Sequence, residues 1–390
     1  MNLSRFKKKI CFITGSRSEY GLIKDLIISL KKEKNISTKL IVTGSHLLKQ
    51  YGSTSNEISS DGIKIFKKIK IFSDTKNSND IIKSSSQIIN GLSNVFRNYR
   101  PDLIVVLGDR YEIFVSCFVA TIFKIPIAHI CGGEETLGSY DNQFRHAITK
   151  MAHIHFVTNE LYKKKILRMG ENKKLVFNFG SLAFSNFNRR KFKNKIELEK
   201  KYKIKFRKEN FLVSIHPETI RGSRLNKNLK NIFKVFKKFK EYSFIFTASN
   251  NDHGGGEINK KIKSFVKGQK NHYFTHSFGQ EDYFSMLKIV SGVIGNSSSG
   301  IIEVPSFKIG TINLGERQTG RVFPKSVINC SFQSREIQKK IIKITSKKFR
   351  SSLKKIINPY QRKNTLKNTK KALIKIQLKN ILFKTFRLGS

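Results

Sequence analysis

Asp109, Glu134 and Asp141 are the residues whose types and spacing point most directly to chemistry. Asp109 follows the apolar run 102–108, and Glu134 follows the Gly132-Gly133 pair after the apolar run 125–130. Asp141 precedes a helix-period segment that carries Arg145 and His146. Carboxyl groups at the ends of neighbouring parallel strands share one rim, and clustering there raises their pKa values toward those a general base needs. Such a cluster is equipment for moving a proton. Each acid also has an ordinary reading: Asp109 as a helix cap, Glu134 as a lysine's partner, Asp141 as an N-cap. A second group is the stretch Ser291 to Pro305, where an apolar strand runs into Ser297-Ser298-Ser299-Gly300 before a short helix. Main-chain N–H groups and hydroxyls at a helix start form an anion site suited to phosphate. Glu303, a little over one turn beyond Ser299, would present its carboxylate to a ribose hydroxyl from the side of that helix. A serine-rich N-cap with no ligand stays open as well.

The elements that must position these residues alternate strand and helix. Residues 9–14 read as a strand, Gly15-Ser16-Arg17 as a turn at the carboxyl edge of a sheet, and 22–30 as a helix, which brings Arg17 to the site. Strands at 37–43, 102–108, 125–130, 152–159 and 174–180, with helices at 80–99, 111–123 and 142–150 and one running to Gly170, complete a doubly wound unit. The first turn lacks the Gly-x-Gly-x-x-Gly fingerprint, so no nicotinamide or flavin is expected. His153 and His155 alternate along a strand with no third ligand nearby, and they read as strand residues rather than a metal pair. In the second half, strands at 211–216, 243–248, 272–277 and 309–315 accompany the serine stretch. His216 ends the first of these strands, and the glycine-rich turn Ser249 to Gly256 follows the second. The highly charged residues 187–205 read as a connection. The expected fold class is α/β: a Rossmann-like domain over 1–186 bearing the acids and a nucleotide-binding Rossmann-like domain over 187–334 face a cleft, with helices over 335–390 packing back across both.

Composition narrows the class of protein. The net charge is +49, from 76 Lys and Arg against 27 Asp and Glu. It is spread through every segment rather than gathered in one patch interleaved with aromatics, so no nucleic-acid partner is expected. An RNA- or anionic-membrane-binding protein is the rival outside enzymes, and its binding would fall steeply with salt. No run of about eighteen apolar residues exists, so no membrane span is expected. The amino-terminal segment shows no small-residue cleavage site, which makes the cytoplasm the expected location. Cys11, Cys117, Cys131 and Cys330 have no Cys-x-x-Cys spacing and read as reduced thiols.

Six motifs in register carry a family resemblance: Gly15-Ser-Arg-Ser-Glu-Tyr-Gly21, Leu107-Gly-Asp-Arg-Tyr-Glu112, Gly132-Gly-Glu-Glu-Thr136, His216-Pro-Glu-Thr219, Gly295-Asn-Ser-Ser-Ser-Gly300 and Asn313-Leu-Gly-Glu-Arg-Gln-Thr-Gly-Arg321. Over about residues 8–360 the chain resembles the hydrolysing UDP-N-acetylglucosamine 2-epimerases, most of all the bacterial enzymes of sialic acid and legionaminic acid biosynthesis. The resemblance implies a GT-B-like fold, a UDP-sugar substrate, no cofactor or metal, and a homodimer. It implies acid/base roles for Asp109, Glu134 and Asp141 and a place beside the phosphate for His216. It further implies nucleotide contacts from Arg17, Arg110, Asn250, Asp252, Ser297, Ser298, Glu303 and Arg317. The implied reaction removes the C2 proton as UDP leaves C1, then adds water to a 2-acetamidoglucal. The same reaction on UDP-2,4-diacetamido-2,4,6-trideoxyglucose, a non-hydrolysing 2-epimerase and a GT-B glycosyltransferase remain the alternatives.

Overall fold

Short apolar runs bounded by glycine and polar turns form the strands of two parallel sheets. The computed structural model describes residues 7–48, 54–72, 77–185, 187, 191–218, 224–249 and 254–385. The chain divides into two units, one of Met1–Glu134, Asp141–Asn186 and Gln361–Ser390, the other of Glu135–Tyr140 and Phe187–Tyr360.

The first unit begins with β1 (Lys8–Thr14), α1 (Arg17–Lys31), β2 (Ile36–Val42), α2 (Ser55–Ser60), β3 (Lys67–Lys68) and α3 (Ser78–Asn98). It continues through β4 (Leu103–Leu107), α4 (Tyr111–Ile122), β5 (Ile127–Ile130), α5 (Asp141–Met151), β6 (Ile154–Val157), α6 (Glu160–Arg168) and β7 (Val176–Asn178). The sheet runs β3-β2-β1-β4-β5-β6-β7, parallel throughout. Alternation along the strands sends Cys11, Ile13, Ile104 and Val106 into the core on one face and Ile10, Phe12, Leu103 and Val105 into the core on the other. Because helices cover both faces, β4 is buried at every position. Strand order reverses between β1 and β4, the place where open α/β sheets bind ligands. Helix α1 starts at Arg17, earlier than the apolar period suggests, because Ser16 caps it by accepting the Glu19 N–H.

The second unit contains α7 (Lys195–Tyr202), β8 (Glu209–Ser214), α8 (Leu225–Phe236), β9 (Tyr242–Thr247), α9 (Gly255–Val266), β10 (His272–Thr275) and α10 (Gly279–Leu287). It closes with β11 (Gly292–Gly295), α11 (Ser299–Ile302), β12 (Gly310–Leu314), β13 (Val327–Cys330), α12 (Ser334–Thr345) and α13 (Lys347–Leu353). Its sheet order is β10-β9-β8-β11-β12-β13, also parallel, with the reversal between β8 and β11. Phe211, Val213, Phe244 and Phe246 line one core, Leu212 and Ile245 the other.

Two regions depart from the sequence reading. The charged stretch 187–205 is not a bare connection. Asn194 and Glu197 form a capping box for α7, while Lys193, Lys201 and Tyr202 converge on the buried Asp282 carboxylate. Beyond β12 lies a further strand, β13, whose partly exposed residues at the sheet edge hide it from a search for apolar runs.

After α13 the chain returns to the first unit as α14 (Thr365–Lys375). Lys8 Nζ donates to the carbonyls of Leu373, Ile374 and Ile376 at 3.1, 3.0 and 2.7 Å, supplying the donors and positive charge that a helix C-terminus lacks. Farther on, Lys384 Nζ lies 2.8 Å from Glu171, a carboxylate shared with Lys150 and His155. Those three partners hold the Glu171 carboxyl well below its usual range, at about 2, although burial opposes them. Among the described residues no helix is long and apolar enough to cross a membrane.

Candidate active site

At the reversal in the first sheet, one guanidinium organises the acids. Arg145, buried on α5, donates from Nη2 to the Asp109 carboxylate and from Nη1 to the Glu134 carbonyl at 3.0 Å. The segment that carries Glu134 is thereby tied to the residue ending the β4 turn. The Glu134 carboxylate is itself buried and accepts the Thr158 hydroxyl at 2.8 Å, just past β6. Asp141 is the first residue of α5, one position inside the helix it is expected to cap, and one turn before Arg145 on the same helix. Each acid therefore bonds to Arg145 or shares an element with it. His129 braces the rim from β5. Its Nε2 donates to the Gly108 carbonyl at 2.8 Å, and its Nδ1 faces the Thr149 hydroxyl at 3.2 Å. Burial pushes this imidazole down to about 3, so it is a neutral brace.

Basic residues that the resemblance assigns to the nucleotide have protein partners here. Arg110 places Nε and Nη2 each 3.2 Å from a carboxylate oxygen of fully buried Glu112. Arg17 Nε sits 2.8 Å from Glu57, so an anionic ligand would compete with that carboxylate. Next to them, Glu19 accepts the Gly15 N–H at 2.7 Å and the Thr14 hydroxyl at 3.3 Å. Burial pushes its carboxyl up to about 7, against the pull of Arg110. His153 and His155 take separate partners: His153 Nδ1 accepts the Ile127 N–H at 3.2 Å, and His155 Nε2 is 3.2 Å from Glu171. No cluster of three or more His, Cys, Asp or Glu is placed to hold a metal among the described residues.

In the second unit the reversal between β8 and β11 brings His216 to Asn296. The His216 N–H donates to Asn296 Oδ1 at 2.7 Å, and Asn296 Nδ2 donates to the His216 carbonyl at 2.9 Å. On the other side, His216 Nδ1 lies 3.4 Å from Ser249 Oγ. Gly295 has φ +145°, and a Cβ there would sit 1.9 Å from the Ser214 carbonyl oxygen, so only glycine lets the strand ends approach this closely. The chain then turns through Ser297 and Ser298 into α11. That helix is a single turn of four residues with no side-chain cap, and the Ser299 hydroxyl is paired with that of Tyr283. One turn carries little dipole, so the anion-binding case rests on the loop itself and on Arg317 rather than on a helix tip. Glu303 is the C-cap of α11, not a residue on its flank. Arg317 Nη1 and Gln318 Nε2 both reach the Asn296 carbonyl, at 3.4 and 2.8 Å. Glu218 Oε1 accepts the N–H groups of Glu316 and Arg317 at 2.7 and 3.1 Å. Asn250 and Asp252 lie outside the described residues.

Sequence reasoning missed Arg145, Glu112, Asn296, Gln318 and Glu218 as parts of the site. Glu112, Glu218, Asn296 and Gln318 fall inside the motifs that carry the resemblance, and that placement was the one available signal, whereas Arg145 lies outside them on the helix that follows Asp141.

The UDP-N-acetylglucosamine 2-epimerase family model matches residues 28–374. Polysialic acid biosynthesis protein P7 of Escherichia coli is 41% identical over 97% of this chain and 97% of its own length. A Campylobacter jejuni protein named GDP/UDP-N,N'-diacetylbacillosamine 2-epimerase (hydrolyzing) is 39% identical over 89% of this chain and 90% of its own. The solved UDP-GlcNAc 2-epimerase of Neisseria meningitidis, bound to UDP-GlcNAc, shares the fold, with a TM-score of 0.81 at 19% identity over 94% of this chain and 100% of that one. The two doubly wound units are thus Rossmann-like domains of the GT-B-like class, and the chain belongs to the UDP-N-acetylglucosamine 2-epimerase family.

Proposed function

We propose that the protein converts UDP-N-acetylglucosamine and water to N-acetylmannosamine and UDP, for sialic-acid-type sugar biosynthesis. The supporting observation is the trio of acids organised around Arg145 at the sheet reversal, in a chain of this family. Asp109, Glu134 and Asp141 supply the base that takes the C2 proton and the acid that returns one to the opposite face. As the C1–O bond breaks, its electron pair leaves with the diphosphate. Ser297, Ser298, Arg317 and His216 stabilise that developing charge, while Arg17, Arg110, Asn250, Asp252 and Glu303 complete the nucleotide contacts. Water then gives its hydroxyl to C1 and a proton to C2 of the 2-acetamidoglucal, and the free sugar departs. The reaction proceeds without a metal ion or cofactor, in a cytoplasmic homodimer. A second reading, the same steps on UDP-2,4-diacetamido-2,4,6-trideoxyglucose, is favoured by the name of the Campylobacter relative.

Proton NMR of the purified protein with each UDP-sugar in heavy water tests both. Release of UDP with N-acetylmannosamine deuterated at C2 is the expected result, unchanged by a chelator of divalent cations. Turnover of the diacetamido sugar alone moves the substrate to the second reading, and a deuterated UDP-sugar with no free sugar would overturn hydrolysis.

A further inference from the structure

Asn296 is fully buried, and its side-chain amide pairs with both main-chain groups of one residue beyond another strand end, accepting from the His216 N–H and donating to the His216 carbonyl. Its backbone is held as well: its N–H donates to the Ser214 carbonyl at 3.1 Å, and its carbonyl accepts from Gln318 Nε2 at 2.8 Å. Gln318, also fully buried, accepts from Arg321 Nε at 2.7 Å. Glu218, two residues past His216, ties back to the Glu316 and Arg317 N–H groups. Three loops therefore form a closed ring, each holding the other two. An amide is the side chain that can accept from the N–H and donate to the carbonyl of one residue at once. A carboxylate of the same shape lacks the donor, and an alkyl group lacks both.

We propose that Asn296 is a positioning residue whose amide sets His216 in register with the serine turn and Arg317. This rests on the proposed reaction, in which His216 acts beside the departing phosphate while Ser297, Ser298 and Arg317 bind it. One side chain then connects the group that assists departure to the groups that hold the nucleotide.

The test compares Asn296→Ala and Asn296→Asp in the full chain by kcat, by calorimetric UDP affinity, and by the His216 backbone amide resonance in 15N-histidine-labelled protein across pH. The Ala variant should lose kcat on the order of 100-fold, the scale of a displaced catalytic group, with UDP affinity far less affected. The Asp variant should match it at alkaline pH. As pH falls, the introduced carboxyl takes a proton and can again donate to the His216 carbonyl while accepting its N–H. The kcat of the Asp variant relative to wild type should then rise, while the Ala ratio stays flat. In the Asp variant the His216 amide resonance should move with the same titration, with no ligand present. Equal loss of kcat and UDP affinity in the Ala variant, or a flat Asp ratio, overturns the proposal. If wild type neither turns over nor binds UDP, the proposed reaction falls, and the His216 amide alone decides the clamp: movement with pH supports it, a static resonance overturns it. Should the Asn296 variants fail to fold, Gln318→Glu carries the same pH argument, because its Nε2 faces the Asn296 carbonyl.

Discussion

Arg145 does for the acids what no single acid can do for itself. Its planar fork reaches the Asp109 carboxylate and the Glu134 carbonyl together, and a lysine ammonium cannot reproduce that two-point geometry. Arg145→Lys should lower kcat about 10- to 100-fold with UDP affinity near wild type, read by steady-state kinetics beside calorimetry. Arg145→Ala should also cost about 2–3 kcal/mol in urea denaturation, below the usual figure for breaking a buried pair because the Asp109 side chain is 22% exposed. Glu19 makes a separate prediction. Burial raises its carboxyl from 4.5 to about 7 in the folded chain, so the folded state holds its proton more tightly than the unfolded chain does. The stabilisation is complete below about pH 4.5 and is lost as pH rises through 7, a difference of roughly 3 kcal/mol. Glu19→Gln should therefore gain on wild type in urea midpoint between pH 5 and 8. A difference that does not change with pH would mean that the carboxyl is ionised throughout.

At the scale of elements, two glycines with opposite surroundings separate conformational need from chance. Gly295 ends β11 at the sheet reversal, where a Cβ would strike the Ser214 carbonyl, so Gly295→Ala should destabilise by about 3 kcal/mol or more and abolish UDP binding. Gly21 lies within α1, and apart from the helix's own backbone no atom stands within 4 Å of where a Cβ would be, so Gly21→Ala should stabilise by roughly 0.5–1 kcal/mol in thermal or urea unfolding. The elements themselves were largely readable. Buried parallel strands announce themselves as apolar runs, and acids just past such runs fall at the carboxyl edge, which is why Asp109 and Glu134 could be singled out. What could not be read depends on tertiary hydrogen bonds. Nothing in the local pattern tells that Asn296 clamps His216 from a strand 80 residues away, or that Arg145 reaches across 36 residues to Asp109. The one-turn α11 shows the converse limit: three serines in a row suggest a capped helix, yet Tyr283 takes the third hydroxyl, the N-cap Ser298 makes no side-chain bond, and only Ser297 accepts the Ser299 N–H, at 3.4 Å.

For the whole molecule, charge is the property with the largest reach. With 76 basic against 27 acidic residues, the net charge of +49 makes self-repulsion the expected sum of the long-range terms. Salt weakens exposed ion pairs such as Lys261–Glu257, but it weakens the far more numerous repulsions as well. The net effect of adding salt should therefore be stabilisation, with a urea midpoint that rises as sodium chloride goes from about 0.05 to 0.5 M, where screening shortens from beyond 10 Å toward 3 Å. Binding of UDP should move the other way, because the same field that strains the fold attracts a diphosphate. A nucleotide touches only a few cations, so its affinity should fall shallowly, unlike the steep decline of a protein that neutralises many phosphates of a nucleic acid. Calorimetric UDP titrations and urea curves over one salt series decide the matter. Opposite slopes, the binding slope shallow, fit a nucleotide-sugar enzyme whose charge is diffuse; falling stability with salt would mean that specific ion pairs, not repulsion, dominate the surface.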